Sequence, residues 1–339
     1  MANTYKAVEV TAPSNLRIVE RPIPQPGLGQ VLIRVEACGI CHTDSLTVEG
    51  QFPGLTFPRV PGHEVAGRIE AIGSGASRWR VGQRVGVGFF GGQDGHCEPC
   101  RRGDFINCQS LSLSGITTDG GYAEMILADS NAVVSLPDSL NAVDAAPLLC
   151  AGVTTYNALR NAPLRSGDLV AVQGVGGLGH LGIQFARRMG FRTVAIARGS
   201  EKGKLAKELG AKSYIDGQTE DPAAALQRMG GAKVILATAA SSRSMGPLIA
   251  GLAPRGRLIV VGASPEPIQV DPAQLIFGAR SLGGSLTGTA IDIEDTLAFS
   301  VLQNVRAMIE TVPLERAGEA YARMMRGEAR FRIVLTTGQ

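Results

Sequence analysis

Leu169-Val170-Ala171-Val172-Gln173-Gly174-Val175-Gly176-Gly177-Leu178-Gly179 is the stretch whose reading decides the fold. A short apolar run is followed at once by G-x-G-x-x-G, and residues 178–189 then carry a helix-like pattern. The glycine pattern alone is a weak signal in a chain with 44 glycines. A strand before it and a helix after it are the context that gives it meaning. Gly174 permits a tight turn, Gly176 lets the backbone approach a pyrophosphate, and Gly179 allows close helix–strand packing. Gly177 and Leu178 complete the loop at the helix N-terminus, where free N–H groups can receive the anion. The alternative reading is a glycine-rich βα turn without a ligand.

Working outward, residues 193–197 form a second apolar run, followed by a helix pattern over 202–209. Residues 233–237 and 258–261 are two more strand candidates with a helical stretch between them. Strand and helix alternating in this way predict an α/β unit, a doubly wound parallel sheet with helices on both faces. Upstream, residues 1 to about 147 look β-rich, with strand candidates at 31–35, 65–72 and 84–89 between Gly/Pro turns. Downstream lie helix patterns at 293–303 and 316–325 and a last strand at 331–335. That strand has no helix after it and is expected to return to the first domain. No internal repeat or low-complexity segment interrupts the pattern.

The end of the second strand bears on which dinucleotide binds. An acidic residue about 20 positions beyond the glycine loop usually takes the ribose 2′-OH of NAD. Here the sequence is Ala197-Arg198-Gly199-Ser200. These residues offer no carboxylate to repel a 2′-phosphate, and the Arg198 guanidinium can pair with one bidentately. Ser200 and Lys202 add donors. NADP(H) is therefore expected over NAD(H); the alternative is a solvated Arg198 and NAD held by other contacts.

The bulk composition limits the remaining choices. The 339 residues suggest two domains, and 44% hydrophobic with 19% charged residues can build large cores. A net charge of +3 without a basic run predicts no nucleic-acid partner. No stretch of about 18 apolar residues predicts a membrane span. The start, Met1-Ala2-Asn3-Thr4-Tyr5-Lys6-Ala7-Val8, has no apolar signal-peptide core, so a cytoplasmic location is expected. In that setting the six cysteines point to metal binding before disulfides.

Cys41, His63 and Cys150 are two thiols and an imidazole, the donor set of a catalytic Cys₂His zinc site with an open fourth position. They lie far apart in sequence, so spacing proves nothing. Singly, Cys150 also reads as a small buried hydrophobe. A second group is local: Asp94-x2-Cys97-x2-Cys100-x7-Cys108. It reads as a structural zinc site with Asp94 as the oxygen ligand. The alternatives are empty reduced thiols or a small zinc-ribbon module.

Taken together and in order, these segments resemble the medium-chain, zinc-dependent alcohol dehydrogenases over essentially the whole chain. The resemblance is carried by Cys38-Gly39-Ile40-Cys41-His42-Thr43-Asp44, Pro61-Gly62-His63-Glu64-Val65-Ala66-Gly67, the 97–108 loop, Cys150-Ala151-Gly152-Val153-Thr154-Thr155-Tyr156 and the glycine loop. It implies a GroES-like catalytic domain over 1–147 and 290–339, a Rossmann domain over 148–289, and an active site in the cleft. By resemblance, Cys41, His63 and Cys150 hold the catalytic zinc, Glu64 stands near it and Asp44 orients a ligand. Thr43 takes the substrate proton. His42 and Arg332 contact the pyrophosphate, and Thr154 with Val261-Gly262-Ala263 packs the nicotinamide. Phe52 and Phe90 line a substrate pocket suited to a primary alcohol or aldehyde. The family further implies a homodimer or homotetramer. Two departures stand out: Leu46 replaces a histidine that ends the proton relay in many relatives, and Asp94 replaces a first cysteine. The rival readings are a zinc-free quinone or enone reductase of the same superfamily and a non-catalytic protein that keeps the fold.

Overall fold

The computed structural model describes residues 4–338. The first part of the chain contains β1 (Thr4–Ala12), β2 (Asn15–Pro22), β3 (Gln30–Gly39), β4 (Val65–Ile72), β5 (Arg84–Val87), β6 (Phe90–Gly92), β7 (Ser112–Leu113), β8 (Met125–Asp129) and β9 (Val133–Ser135). Next come β10 (Leu169–Gln173), β11 (Arg192–Ala197), β12 (Ser213–Asp216), β13 (Ala232–Ala237), β14 (Leu252–Val260) and β15 (Ser281–Gly284). The chain ends with β16 (Ile309–Pro313) and β17 (Arg332–Thr336). It divides into two compact units, Met1–Val153 with Gly288–Gln339, and Thr154–Thr287.

In the second unit, β10 to β15 form one parallel sheet in the order β12-β11-β10-β13-β14-β15. All five residues of β10 are buried, as expected of a strand covered on both faces. The strand order reverses between β10 and β13, and in such sheets ligands bind outside the carboxyl ends at the reversal. The glycine loop leaves β10 at that point. Gly174 has φ +102°, a left-handed conformation that glycine adopts without steric cost. A Cβ on Gly179 would stand 1.9 Å from the Gly174 carbonyl oxygen, so the helix Gly179–Arg188 packs backbone to backbone against the loop. At Gly176 such an atom would meet nothing within 4 Å.

The first unit is built mainly on antiparallel pairs. Its main sheet runs β16-β17-β3-β4-β5-β9, with β8 also paired to β3. The last strand, β17, lies in this unit and pairs antiparallel with β3, Val334 opposite Gly39 and Leu335 opposite Cys38. The core includes Val35, Ile69, Val85, Tyr122 and Ile333. The division between the units falls at 153/154 where 147/148 was expected. The turn Ala146–Leu149 belongs to the first unit because its side chains fill that core: Leu148 and Leu149 are fully buried, and Leu149 occupies the space a Gly86 side chain would need.

Several short elements escaped the sequence pattern, among them β12, β15 and β16. None has a run of apolar residues to mark it. β14 begins earlier than expected: its first half mixes buried Leu252 and Gly256 with exposed Pro254, Arg255 and Arg257, which breaks the apolar run. Among the described residues no helix is long and apolar enough to cross a membrane.

Gly179→Ala is expected to destabilise the second unit by about 1–3 kcal/mol, the usual cost of forcing atoms into packed space. Gly176→Ala is expected to stay within about 0.5 kcal/mol of the parent. Urea midpoints of the two variants check this; equal midpoints would contradict the packing argument.

Candidate active site

Cys41, His63, Glu64 and Cys150 converge, each offering one donor atom, with these atoms all within 4.8 Å of one another. Three separate segments deliver them. Cys41 follows β3 and precedes the single 3₁₀ turn His42–Asp44. His63 and Glu64 lie just before β4, and Cys150 closes the turn Ala146–Leu149. Asp44 joins two of these segments. Its Oδ2 accepts the Cys41 backbone N–H at 2.8 Å, and its Oδ1 lies 2.9 Å from His63 Nδ1. With Nδ1 committed to Asp44, His63 presents Nε2 to the cluster, and that atom is buried without a hydrogen-bond partner.

Cys41 Sγ and Cys150 Sγ are 4.0 Å apart. Their hydrogen bond draws the Cys41 thiol well below the ordinary thiol range and pushes Cys150 well above it. Burial opposes a charged His63, yet Asp44 and the Cys41 thiolate outweigh it and hold the imidazole well above its usual pKa. Burial lifts the Glu64 carboxyl to about 7, against the pull of the Arg332 charge. Arg332 Nη2 donates to Glu64 Oε1, while Glu64 Oε2 is buried without a partner. Burial would lower the Arg332 pKa, but Glu64, Cys41 and Cys150 keep it above its ordinary value.

These residues fit a zinc ion. Tetrahedral zinc with Zn–S of about 2.3 Å sets sulfur–sulfur separations near about 3.8 Å, close to the 4.0 Å between Cys41 and Cys150. The unpartnered Nε2 supplies the nitrogen donor, and Asp44 on the opposite ring nitrogen fixes its tautomer.

The second cluster also assembles. Donor atoms of Asp94, Cys97, Cys100 and Cys108 all lie within 4.8 Å of one another, and Cys97 Sγ is 3.9 Å from Cys108 Sγ. That distance excludes a disulfide, whose sulfurs sit about 2.05 Å apart. Asp94 Oδ1 accepts backbone N–H groups of Cys97 at 2.9 Å and His96 at 2.8 Å, which depresses its pKa. Burial and the thiols of Cys97 and Cys108 push Cys100 up to about 12. Three thiols and a fixed carboxylate at these separations can hold a divalent cation.

The remaining candidates sit within their own units. His42 is exposed and Thr43 half-buried on the 3₁₀ turn. Phe52 is half-buried in the loop that follows, its N–H donating to Leu46 O. In the second unit Thr154 is buried, and the N–H groups of Val261 and Gly262 both donate to Ala237 O at the end of β13. Ala197 ends β11, Arg198 and Ser200 are exposed in the next turn, and Lys202 is half-buried in the helix Glu201–Glu208. Among the described residues Arg198 has no ion-pair partner. The reading of this strand end as free of carboxylates needs amending. Asp216, opposite Ala197 on β12, accepts the Gly199 N–H at 2.9 Å, and the Glu201 carboxylate covers the space beside Gly199. Asp216 comes from a neighbouring strand, which the local sequence could not reveal.

The structure also exchanges one aromatic for another. Phe89, not Phe90, stands against the ligand set: its ring meets His63 edge-on with centroids 5.4 Å apart. Phe90 instead lines a cavity of about 210 Å³ with Phe105, Leu111 and Ile291. The Phe90 ring packs beside that of Phe89, centroids 5.5 Å apart. Two further contributors were missed. A Cβ on Gly39 would stand 1.9 Å from Glu64 Oε2, so only glycine leaves room for that carboxylate. Tyr122, 78 residues from Asp44, donates its hydroxyl to Asp44 Oδ2 at 2.8 Å.

A glycine loop at the reversal of a parallel sheet, with a buried Cys₂His donor set in a β-rich unit, defines a metal-dependent dehydrogenase. Comparison with known proteins gives the family. Residues 27–138 match the alcohol dehydrogenase GroES-like domain and residues 177–302 the zinc-binding dehydrogenase domain. The chain is 42% identical over 335 residues to an alcohol dehydrogenase of Penicillium expansum, covering 98% of each. It is 36% identical to one from Geobacillus stearothermophilus, over 94% of this chain and 96% of that protein. Among solved structures, a cinnamyl alcohol dehydrogenase of Sorghum bicolor matches with TM-score 0.89 at 30% identity, over 98% of this chain and 97% of that one. CAD from Helicobacter pylori, complexed with NADP(H), matches with TM-score 0.88 at 27% identity over 99% of both. The chain belongs to the zinc-dependent medium-chain alcohol dehydrogenases, and it is an oxidoreductase with alcohol dehydrogenase activity.

A zinc ion held by this cluster would need Cys150 as thiolate and His63 neutral, against surroundings that raise the pKa of both groups. Zinc binding to metal-stripped protein is therefore expected to release protons and to strengthen steadily from pH 6 to pH 8. Calorimetric titration in buffers of different ionisation enthalpy checks this; pH-independent affinity would contradict it.

Proposed function

We propose that the chain interconverts primary alcohols and aldehydes at a zinc held by Cys41, His63 and Cys150, with NADP(H) preferred over NAD(H). The observation that carries the reading is the buried, unpartnered His63 Nε2, clustered with two thiols whose sulfurs are 4.0 Å apart. When bound, zinc supplies Lewis-acid polarisation of a substrate oxygen, and the dinucleotide supplies or accepts the hydride.

The protein's own residues do the rest. Asp44 keeps His63 in the tautomer that frees Nε2. Thr43, two residues after Cys41, holds the substrate proton at Oγ1 and returns it in the reverse direction. Leu46 has no titratable group, so no side chain at that position receives the proton next. Glu64 balances the Arg332 charge behind the site. Phe89 gives the site an apolar wall against His63, which suits an alkyl or aromatic aldehyde. Phe52 is assigned to the outer part of the same pocket.

The glycine loop from Gly174 to Gly179 is assigned to the pyrophosphate, with His42 and Arg332 as further contacts. Gly176 supports this because its face is open where a ligand would approach. Thr154 and the 261–263 turn are assigned to the nicotinamide. The unpaired, exposed Arg198, with Ser200 and Lys202, supports a 2′-phosphate. The carboxylates of Asp216 and Glu201 work against it, though backbone N–H groups of Gly199 and Gln218 already engage Asp216. The Asp94, Cys97, Cys100 and Cys108 cluster is assigned a second, structural zinc.

Initial rates of benzaldehyde and acetaldehyde reduction with NADPH and with NADH, before and after zinc chelation, test the reading. The expected result is loss of rate on chelation and faster turnover with NADPH. Faster turnover with NADH would overturn the cofactor preference alone. Turnover indifferent to chelation would overturn the zinc assignment and favour the reductase branch.

A further inference from the structure

Tyr122 is fully buried and lies far from the ligand residues in sequence. Its hydroxyl donates to Asp44 Oδ2, the same oxygen that accepts the Cys41 N–H. Its ring touches the other ligand-bearing segment. A Cβ on Gly62 would stand 2.4 Å from Tyr122 Cδ1, so the ring fills the side-chain space of the residue before His63. The backbone repeats the link: Tyr122 N–H donates to Pro61 O and Gly121 N–H to Gly62 O, both at 3.0 Å.

We propose that Tyr122 is a positioning residue for the zinc site, pinning Asp44 through its hydroxyl and the Pro61-Gly62-His63 turn through its ring. Asp44 has donors on both oxygens: His63 on one, Cys41 N–H and Tyr122 on the other. Without the hydroxyl the carboxylate can rotate, and the imidazole it orients rotates with it. A Tyr that merely filled the core would need only its ring, and phenylalanine would replace it without consequence. The inference rests on the assignment of Cys41, His63 and Cys150 to zinc.

The test is metal release from the holoenzyme into a chromophoric chelator, together with the visible spectrum after cobalt replaces zinc. In the parent, the release phase missing from Cys41→Ser identifies this site; absence of any such phase would overturn the zinc assignment and this inference with it. With that phase present, Tyr122→Phe is expected to weaken metal retention by about tenfold to about a hundredfold, the range typical for groups that orient a ligand. A shifted cobalt spectrum is expected as well. Release within twofold of the parent and an unchanged spectrum would overturn the role of Tyr122 and leave the zinc assignment intact. Should Tyr122→Phe fail to fold, difluorotyrosine introduced at position 122 keeps the ring and a hydroxyl of altered donor strength. A shifted cobalt spectrum then supports the inference, and an unshifted one overturns it.

Discussion

The site depends on one buried carboxylate. Asp44 is 2% exposed, and a charge that deep persists only when it is paired and hydrogen-bonded. Its oxygens meet the His63 ring, the Cys41 N–H and the Tyr122 hydroxyl. Each contact ties Asp44 to a different stretch of chain. Two of those stretches end in proposed zinc ligands, and the third crosses behind them. A single side chain thereby sets the separation of Cys41 and His63 and decides which imidazole nitrogen is free. Removing one partner would leave the others with an incompletely satisfied buried charge, which costs more than the lost hydrogen bond alone.

Around Asp44 the protein accumulates charge that an ordinary core would not tolerate. Glu64 and Arg332 form a buried pair that is weak evidence for stability but costly to break, about 3–5 kcal/mol when one partner is removed. Cys41 and Cys150 place their sulfurs 4.0 Å apart, and Asp44 and Cys41 raise the pKa of His63 against its burial. A divalent cation here would take the place of the protons, satisfy Nε2 and give the thiolates a counter-charge. Gly39 and Gly62 make the crowding possible, one leaving room for the Glu64 carboxylate and the other for the Tyr122 ring.

Much of this was legible in the sequence. The glycine loop and the parallel sheet around it could be read from residue type and order, and the family resemblance brought together Cys41, His63 and Cys150, whose donor atoms converge. The return of the last strand to the first domain could be read too, because 331–335 is apolar with no crossover helix to follow. What could not be read depends on neighbours distant in sequence. Asp216 reaches the Gly199 turn from the adjacent strand, and Tyr122 reaches Asp44 across 78 residues. Phe89 and Phe90 stand ring beside ring, and nothing in the apolar run says which of them meets His63. Strands such as β15, with sequence Ser-Leu-Gly-Gly, exist because a neighbour offers an edge, not because their residues favour extension.

The proposed zinc is held by two thiolates and one imidazole, from Cys41, Cys150 and His63. Zinc X-ray absorption on protein carrying Cys97→Ser and Cys100→Ser, which leaves one intact cluster, tests it most directly. Two sulfur neighbours at about 2.3 Å and one nitrogen at about 2.0–2.1 Å are expected, with any further shell from oxygen. A sulfur count of zero or three, or no retained zinc, would contradict it.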